Sequence, residues 1–188
     1  MAAGRERKRD ESLDRSRTMH DDLRIRTCRE RDIVPLARQF SSGDSHVHAF
    51  RYARQQDGHS VYLIAWLAEA PVGHLDLWWQ AAEDSPSAQQ HLAGCPELNG
   101  IAVLPQYQSR GIGTRLIAAA EQKARERGFR EVCVGVDPEN TRARSLYKRL
   151  GYRDWGHGVV EAYWLLPDQH GTRHAEEAVY LRKNLGSE

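Results

Sequence analysis

The order of apolar and polar positions divides the chain into period-two and helix-like runs. LRIRTC, residues 23–28, alternates and predicts a first strand. RERDIVPLARQF predicts a first helix with Pro35 near its first turns, and residues 44–56 predict a second. SVYLIAWLAE, residues 60–69, is nearly continuously apolar, as a buried strand is. A tight EAP turn sends the chain back as its antiparallel partner over residues 72–80. The polar run AEDSPSAQQHLAG predicts a loop, and PELNGIAVL, residues 96–104, the next strand. A helix is expected over about residues 111–127, ended by Gly128, with Ile112, Leu116, Ala119 and Ala120 on its core side. Residues 130–136 predict a strand, about 141–150 a short helix, 152–166 a strand or hairpin, and 178–185 a closing strand. This order contains no repeat and implies an α/β domain, a mixed sheet with helices on it.

The chain has 188 residues, enough to bury a real core. With 27 Lys and Arg against 26 Asp and Glu, its net charge of +1 gives no general pull toward nucleic acid or anionic membranes. Residues 1–20 are charged and nearly free of large apolar groups, so they read as a disordered arm ahead of a domain over 21–186. The interleaved acids Glu6, Asp10, Glu11 and Asp14 argue against a nucleic-acid arm. No apolar run reaches membrane-spanning length and no signal core is evident, so a cytoplasmic protein is expected. Cys28, Cys95 and Cys133 lack metal-ligand spacing and read as reduced, buried or incidental thiols. No metal site is expected.

One stretch is chemically suggestive. QYQSRGIGTRLI, residues 106–117, places Arg110, Gly111 and Gly113 where a strand hands over to a helix. The first amides of a helix have no intrahelical acceptor, and with the macrodipole they attract anions. Glycines there let a phosphate approach the backbone, and arginine adds a charged donor. Neither the P-loop nor the dinucleotide GxGxxG pattern is present. Taken alone, the turn reads equally as a phosphate cradle or as a plain strand-to-helix connection.

The arrangement V-x-x-x-x-Q-x-x-G-x-G from Val103 to Gly113 resembles the coenzyme-A signature of the GCN5-related N-acetyltransferase (GNAT) superfamily. NTRARSLYKRLGY, residues 140–152, is similar to that superfamily's N-x-x-A-x-x-L-Y-x-x-x-G-[FY] segment. The resemblance spans roughly residues 23–185. It implies a single-domain fold whose mixed, mostly antiparallel sheet splays at its central strands, with helices on both faces. It implies acetyl-CoA as acyl donor. Ile101, Ala102 and Val103 would flank the pantetheine and thioester. Gln108, Ser109, Arg110, Gly111, Ile112, Gly113 and Thr114 would hold the pyrophosphate, and Asn140, Ala143 and Tyr147 belong to the second cofactor segment. It further implies the Val103 N–H as donor to the oxyanion, Tyr147 as the acid that protonates the departing thiolate, and Glu97 as the base. Packing of Tyr147 between helix and sheet, and solvation of Glu97 at a strand start, are the competing readings. Alternation along the strand would put Glu97, Asn99, Ile101 and Val103 on one face. The ribosomal-protein N-terminal branch carries an acid where this chain has Gly135, which disfavours that acceptor class.

The resulting expectation is an acetyl-CoA-dependent N-acetyltransferase working by direct amine attack in a ternary complex. The acceptor would be a small amine, an antibiotic amino group or a protein amine, and a homodimer is possible. A non-catalytic acyl-CoA-binding module is the rival reading; a nucleic-acid adaptor using the arm is a third. Outside the motifs, His74 and Asp76 read as the polar face of a half-exposed strand rather than an acid/base pair. Trp78 and Trp79 must point to opposite faces. His157, His170 and His174 read as loop histidines, and Glu83–Asp84 as a solvated turn.

Overall fold

Among the described residues, seven strands follow from the apolar alternation: β1 (Leu23–Thr27), β2 (Ser60–Leu67), β3 (Ala70–Trp78), β4 (Glu97–Val103), β5 (Glu131–Val136), β6 (Arg153–Trp164) and β7 (His174–Asn184). Among the described residues, five α-helices join them: α1 (Ile33–Gln39), α2 (Ser45–Gln56), α3 (Pro86–Leu92), α4 (Ile112–Glu126) and α5 (Thr141–Arg149). This computed structural model describes residues 22–40, 45–82, 85–164 and 174–186. The expected arm over 1–20, the Glu83–Asp84 turn and His170 lie outside them. Among the described residues no helix is long and apolar enough to cross a membrane.

The strands make one mixed sheet in the order β1-β2-β3-β4-β5-β7-β6. Every neighbouring pair is antiparallel except β4 and β5, which run parallel and share a single register pair, Glu97 with Cys133. Past that rung the two strands part. Helices cover both faces. Ile112, Leu116, Ile117, Ala120 and Ala124 of α4 recur at helical spacing and pack on Leu63, Leu75, Leu77, Leu98 and Val134. On the other face Leu36 of α1 and Tyr52 of α2 meet Tyr62, Ile64 and Trp66.

The sheet departs from simple alternation in β4. Asp76 pairs with Asn99 and His74 with Ala102, so Leu75 faces two residues, Gly100 and Ile101. This is a bulge, and Gly100 takes the positive φ of 53° that it needs. The bulge corrects the expected shared face. Ile101 and Val103 pack with Leu98 on the α4 side, whereas Glu97 and Asn99 stand opposite Trp78 and Asp76 on the other side.

Two further expectations change. The polar run after β3 contains α3, which starts at Pro86 directly after Ser85. The Ser–Pro pair is a helix-start signal that the surrounding polar residues conceal. His157 belongs to β6 and His174 to β7 rather than to loops. Trp78 and Trp79 do diverge: Trp78 lies under Arg54 of α2 (4.2 Å), while Trp79 stacks on Phe129 (5.9 Å). All three cysteines are free and buried.

At Gly73 the fold depends on a missing side chain. A Cβ there would lie 3.1 Å from the Ala102 carbonyl oxygen, 3.1 Å from Leu116 Cδ1 and 3.3 Å from Ile112 Cγ2. Gly73→Ala should therefore destabilise the fold by about 1–3 kcal/mol through overpacking, read as a lower denaturant midpoint.

Candidate active site

The open seam between β4 and β5 begins with backbone orientation. The Leu104 N–H donates to the Val72 carbonyl (3.0 Å), so Leu104 faces β3. In an antiparallel ladder the adjacent Val103 then turns its N–H and C=O the other way, into the gap. The Gln108 side chain confirms that direction by donating to the Val103 carbonyl (3.0 Å). The carbonyl is thus satisfied by a side chain from the next turn, and the N–H points where a strand partner is missing.

The turn that follows is strained in a useful way. Ser109 (φ 59°) and Gly111 (φ 79°) are both left-handed, and Gly111 is the residue immediately before α4. Such a turn gathers successive N–H groups toward one point. Facing it, Asn140 caps α5 by accepting from the Ala143 N–H (3.0 Å). The N-termini of α4 and α5 therefore open on the same space, and their dipoles add there.

That space is a cleft of about 380 Å³ lined by Ile101, Ala102, Val103, Gln108, Ser109, Gly111, Ile112, Gly113, Thr114, Asn140 and Ala143. The structure thus brings together the expected cofactor residues of both motifs. Arg110 and Tyr147 lie outside the lining; the Arg110 guanidinium sits over the Tyr107 ring at 5.7 Å. A Cβ on Gly113 would touch only Val103 Cγ2, at 3.9 Å, and otherwise project into open space. The walls also include Leu146 of the second motif, and Tyr107, Arg142 and Arg149, which sequence reasoning did not single out. Arg142 reaches toward the Ser109 hydroxyl (3.5 Å). Residues 142, 146 and 149 form an i, i+4, i+7 stripe beginning just after the Asn140 cap, and that spacing is the signal that would have found them.

Tyr147 and Glu97 lie on opposite faces of the sheet. Tyr147 belongs to the α4-side core and meets Tyr152 edge-on at 5.4 Å. Its hydroxyl has no hydrogen-bond partner among the described residues. Burial pushes its pKa up to about 12, so it holds its proton at neutral pH. Glu97 is 5% exposed, far from the solvated acid of the competing reading. Its Oε2 accepts from the Ala82 N–H (3.0 Å), and its Oε1 occupies space left by Gly135, 3.6 Å from where a Cβ would stand.

His74 and Asp76 are buried, at 4% and 0% exposure, which corrects the half-exposed strand face. They sit in a polar cluster under α2. The His48 Nδ1 and Tyr62 hydroxyl share a 2.6 Å hydrogen bond, and Trp78 Nε1 donates to Asp76 Oδ2 (2.8 Å). Burial, then the Arg51 charge, lowers His48 to about 4 and holds His74 well below the ordinary histidine value. Burial raises Asp76 to about 6.

These shifts predict acid sensitivity. The unfolded chain protonates both histidines near pH 6.5, but the fold refuses those protons. Their contribution is full above that pH and is lost as pH falls toward 4. Asp76 runs oppositely: its contribution is present below about pH 4 and lost as pH rises through 6. Two histidines outweigh one carboxyl, so stability should fall by about 2 kcal/mol or more between pH 7 and 4.5. Asp76→Asn should steepen that fall. Denaturant melts across the range check both.

Comparison with known proteins matches this arrangement. The sequence pattern of the Acetyltransferase (GNAT) family matches residues 29–152, and the chain belongs to that family. It is 32% identical over 76 residues to aminoglycoside N(6')-acetyltransferase type 1 of Salmonella typhimurium, covering 38% of this chain and 52% of that one. The chain thus matches about half the length of that relative. It is 29% identical over 141 residues to the uncharacterized N-acetyltransferase YhfO of Bacillus subtilis, covering 70% and 91%. Among solved structures, YncA from Salmonella typhimurium, determined with its cofactor acetyl-CoA, superposes with a TM-score of 0.62 at 16% identity over 89% of this chain and 96% of that one.

Proposed function

We propose that this chain transfers an acetyl group from acetyl-CoA to a primary amine by direct attack in a ternary complex. The observation that carries the reading is the seam. Its open peptide edge at Val103 adjoins a cleft that has two helix N-termini and Arg142 at one end. A diphosphate suits the amides of residues 109–114, and a pantetheine chain suits the unpaired edge of β4. The donor supplies an activated acyl carbon.

Three groups of the chain then divide the chemistry. The Val103 N–H donates to the oxygen on which negative charge develops. Glu97, on one face, takes a proton from the incoming amine directly or through water, because an amine with a pKa of about 10.4 arrives mostly protonated. As the C–N bond forms and the C–S bond breaks, Tyr147, on the other face, gives its proton to the departing sulfur and regains one from the new amide nitrogen. An acid and a base on opposite sides of an open strand edge match a reaction in which the amine enters on one side of the acyl carbon and the sulfur leaves on the other.

Titration calorimetry with acetyl-CoA, followed by thiol release across a panel of amines, tests the proposal. Saturable binding and amine-dependent thiol release are expected. Binding without thiol release for any amine would instead describe a cofactor-sensing module. Gly113→Val supplies a control on location. Its added carbons enter the cleft, so acetyl-CoA affinity should drop about tenfold or more, as for a steric block of close phosphate approach, with the melting temperature preserved.

A further inference from the structure

The bulge in β4 has an unusual neighbour. The Arg51 side chain of α2 lies directly across Gly100: a Cβ added there would fall 2.1 Å from Arg51 Nη2 and 2.6 Å from its Cζ. A guanidinium therefore rests on the residue that immediately precedes Ile101, Ala102 and Val103. It approaches from the face of β4 that carries Glu97 and Asn99, opposite the α4 side.

The Arg51 charge acts on the Tyr62 hydroxyl and on buried Asp76, but among the described residues it forms no ion pair. Its Nη1 is 3.4 Å from His74 Nδ1, a long contact, and its guanidinium carbon is 5.8 Å from the Tyr62 ring centre. His48, on the same helix, bonds Tyr62 rather than Arg51. The nearby acid is Asp76, whose Oδ2 is engaged by Trp78, and no ion pair joins it to Arg51. Among the described residues Arg51 pairs with no carboxylate. The residue is half-buried rather than enclosed. By contrast, Arg26, Arg125, Arg144 and Arg182 all have carboxylate partners.

We propose that Arg51 receives an anionic group of the acceptor, so that the amine acetylated here carries a carboxylate close to its amino group. The inference rests on the transfer reading above and narrows it to amino acids or their small derivatives. A planar fork matches a carboxylate through two parallel N–H···O bonds. With the carboxylate held by Arg51, the amino group lies on the Glu97 face of β4, the side from which the amine is proposed to attack. Arg51 is then a specificity-determining residue.

The test pairs each amino acid with its carboxamide, which keeps shape and amine but loses the negative charge. Thiol release should favour the acid at least about tenfold, the scale of one bidentate charge-assisted contact. Arg51→Gln should collapse that ratio to within about threefold of unity, and Arg51→Lys, with charge but no fork, should retain part of it. Melting temperatures certify that both variants are folded. A second readout needs no turnover: N-acetyl amino acids titrated into the CoA-loaded protein should bind, and bind at least tenfold more weakly to Arg51→Gln. Equal turnover or binding of acids and carboxamides overturns the proposal. So does an equal loss for both members in Arg51→Gln, which would assign the arginine to the reacting thioester. If no amine releases thiol, the transfer reading falls, and the N-acetyl acid titration alone still decides whether Arg51 takes an anion.

Discussion

Tyr147→Phe is expected to lower the acetyl-transfer rate by about 10²–10⁴, the range for loss of a general acid, while acetyl-CoA affinity stays within about threefold of the parent. The split follows from geometry. Tyr147 is outside the cleft lining, so its hydroxyl contributes little to holding the donor. It is buried at 3% exposure without a partner among the described residues, so deleting the oxygen breaks no hydrogen bond there. The ring still fills its place against Tyr152. Single-turnover thiol release against calorimetric affinity measures the two quantities separately. A variant with an unchanged rate would return Tyr147 to the role of a packing aromatic.

The largest stability effect is expected at Glu121, far from the chemistry. This carboxylate on α4 is 5% exposed. It accepts from the Tyr152 hydroxyl (2.9 Å) and from Lys183 Nζ of β7 (2.8 and 2.7 Å), with Arg125 at 3.8 Å. It thereby fastens α4 to the end of the α5 segment and to the second half of the sheet. Glu121→Ala leaves a largely buried ammonium and a buried hydroxyl unpaired. Such losses typically cost about 3–5 kcal/mol. Glu121→Gln keeps the volume and one acceptor and should recover part of that. Chemical denaturation of the two variants gives both values. Lys183→Met together with Glu121→Leu should cost less than Glu121→Ala alone, because no charge is then stranded.

The first half of the site was legible because its chemistry is carried by backbone. Gly111 and Gly113 ahead of an apolar helix, with Gln108 three residues before, mark a particular turn whatever surrounds it. Asn140 before a helix is likewise a local cap signal. The faces of β4 were not legible. ELNGIAV reads as plain alternation, and only the glycine inside it hints at the extra residue that rotates Ile101 and Val103 away from Glu97. The burial of His74 and Asp76 was hidden for another reason. Polar residues at alternate positions look solvated unless another element brings partners, and those partners, His48 and Arg51, come from a helix more than twenty residues earlier in the chain. Helix α3 escaped because its short polar sequence has little apolar period to detect. Its start at a Ser–Pro pair was the one available clue.

The lone rung joining β4 to β5 makes the sheet two plates, one of four strands and one of three, with α4 packed across both. A molecule lying in the gap would supply the missing edge partner and turn the plates into a continuous girder. Donor occupancy would then be a component of cohesion as well as of chemistry. The protein would become more rigid and harder to melt as the ligand accumulates, by ordinary mass action, and loosest after its product has departed.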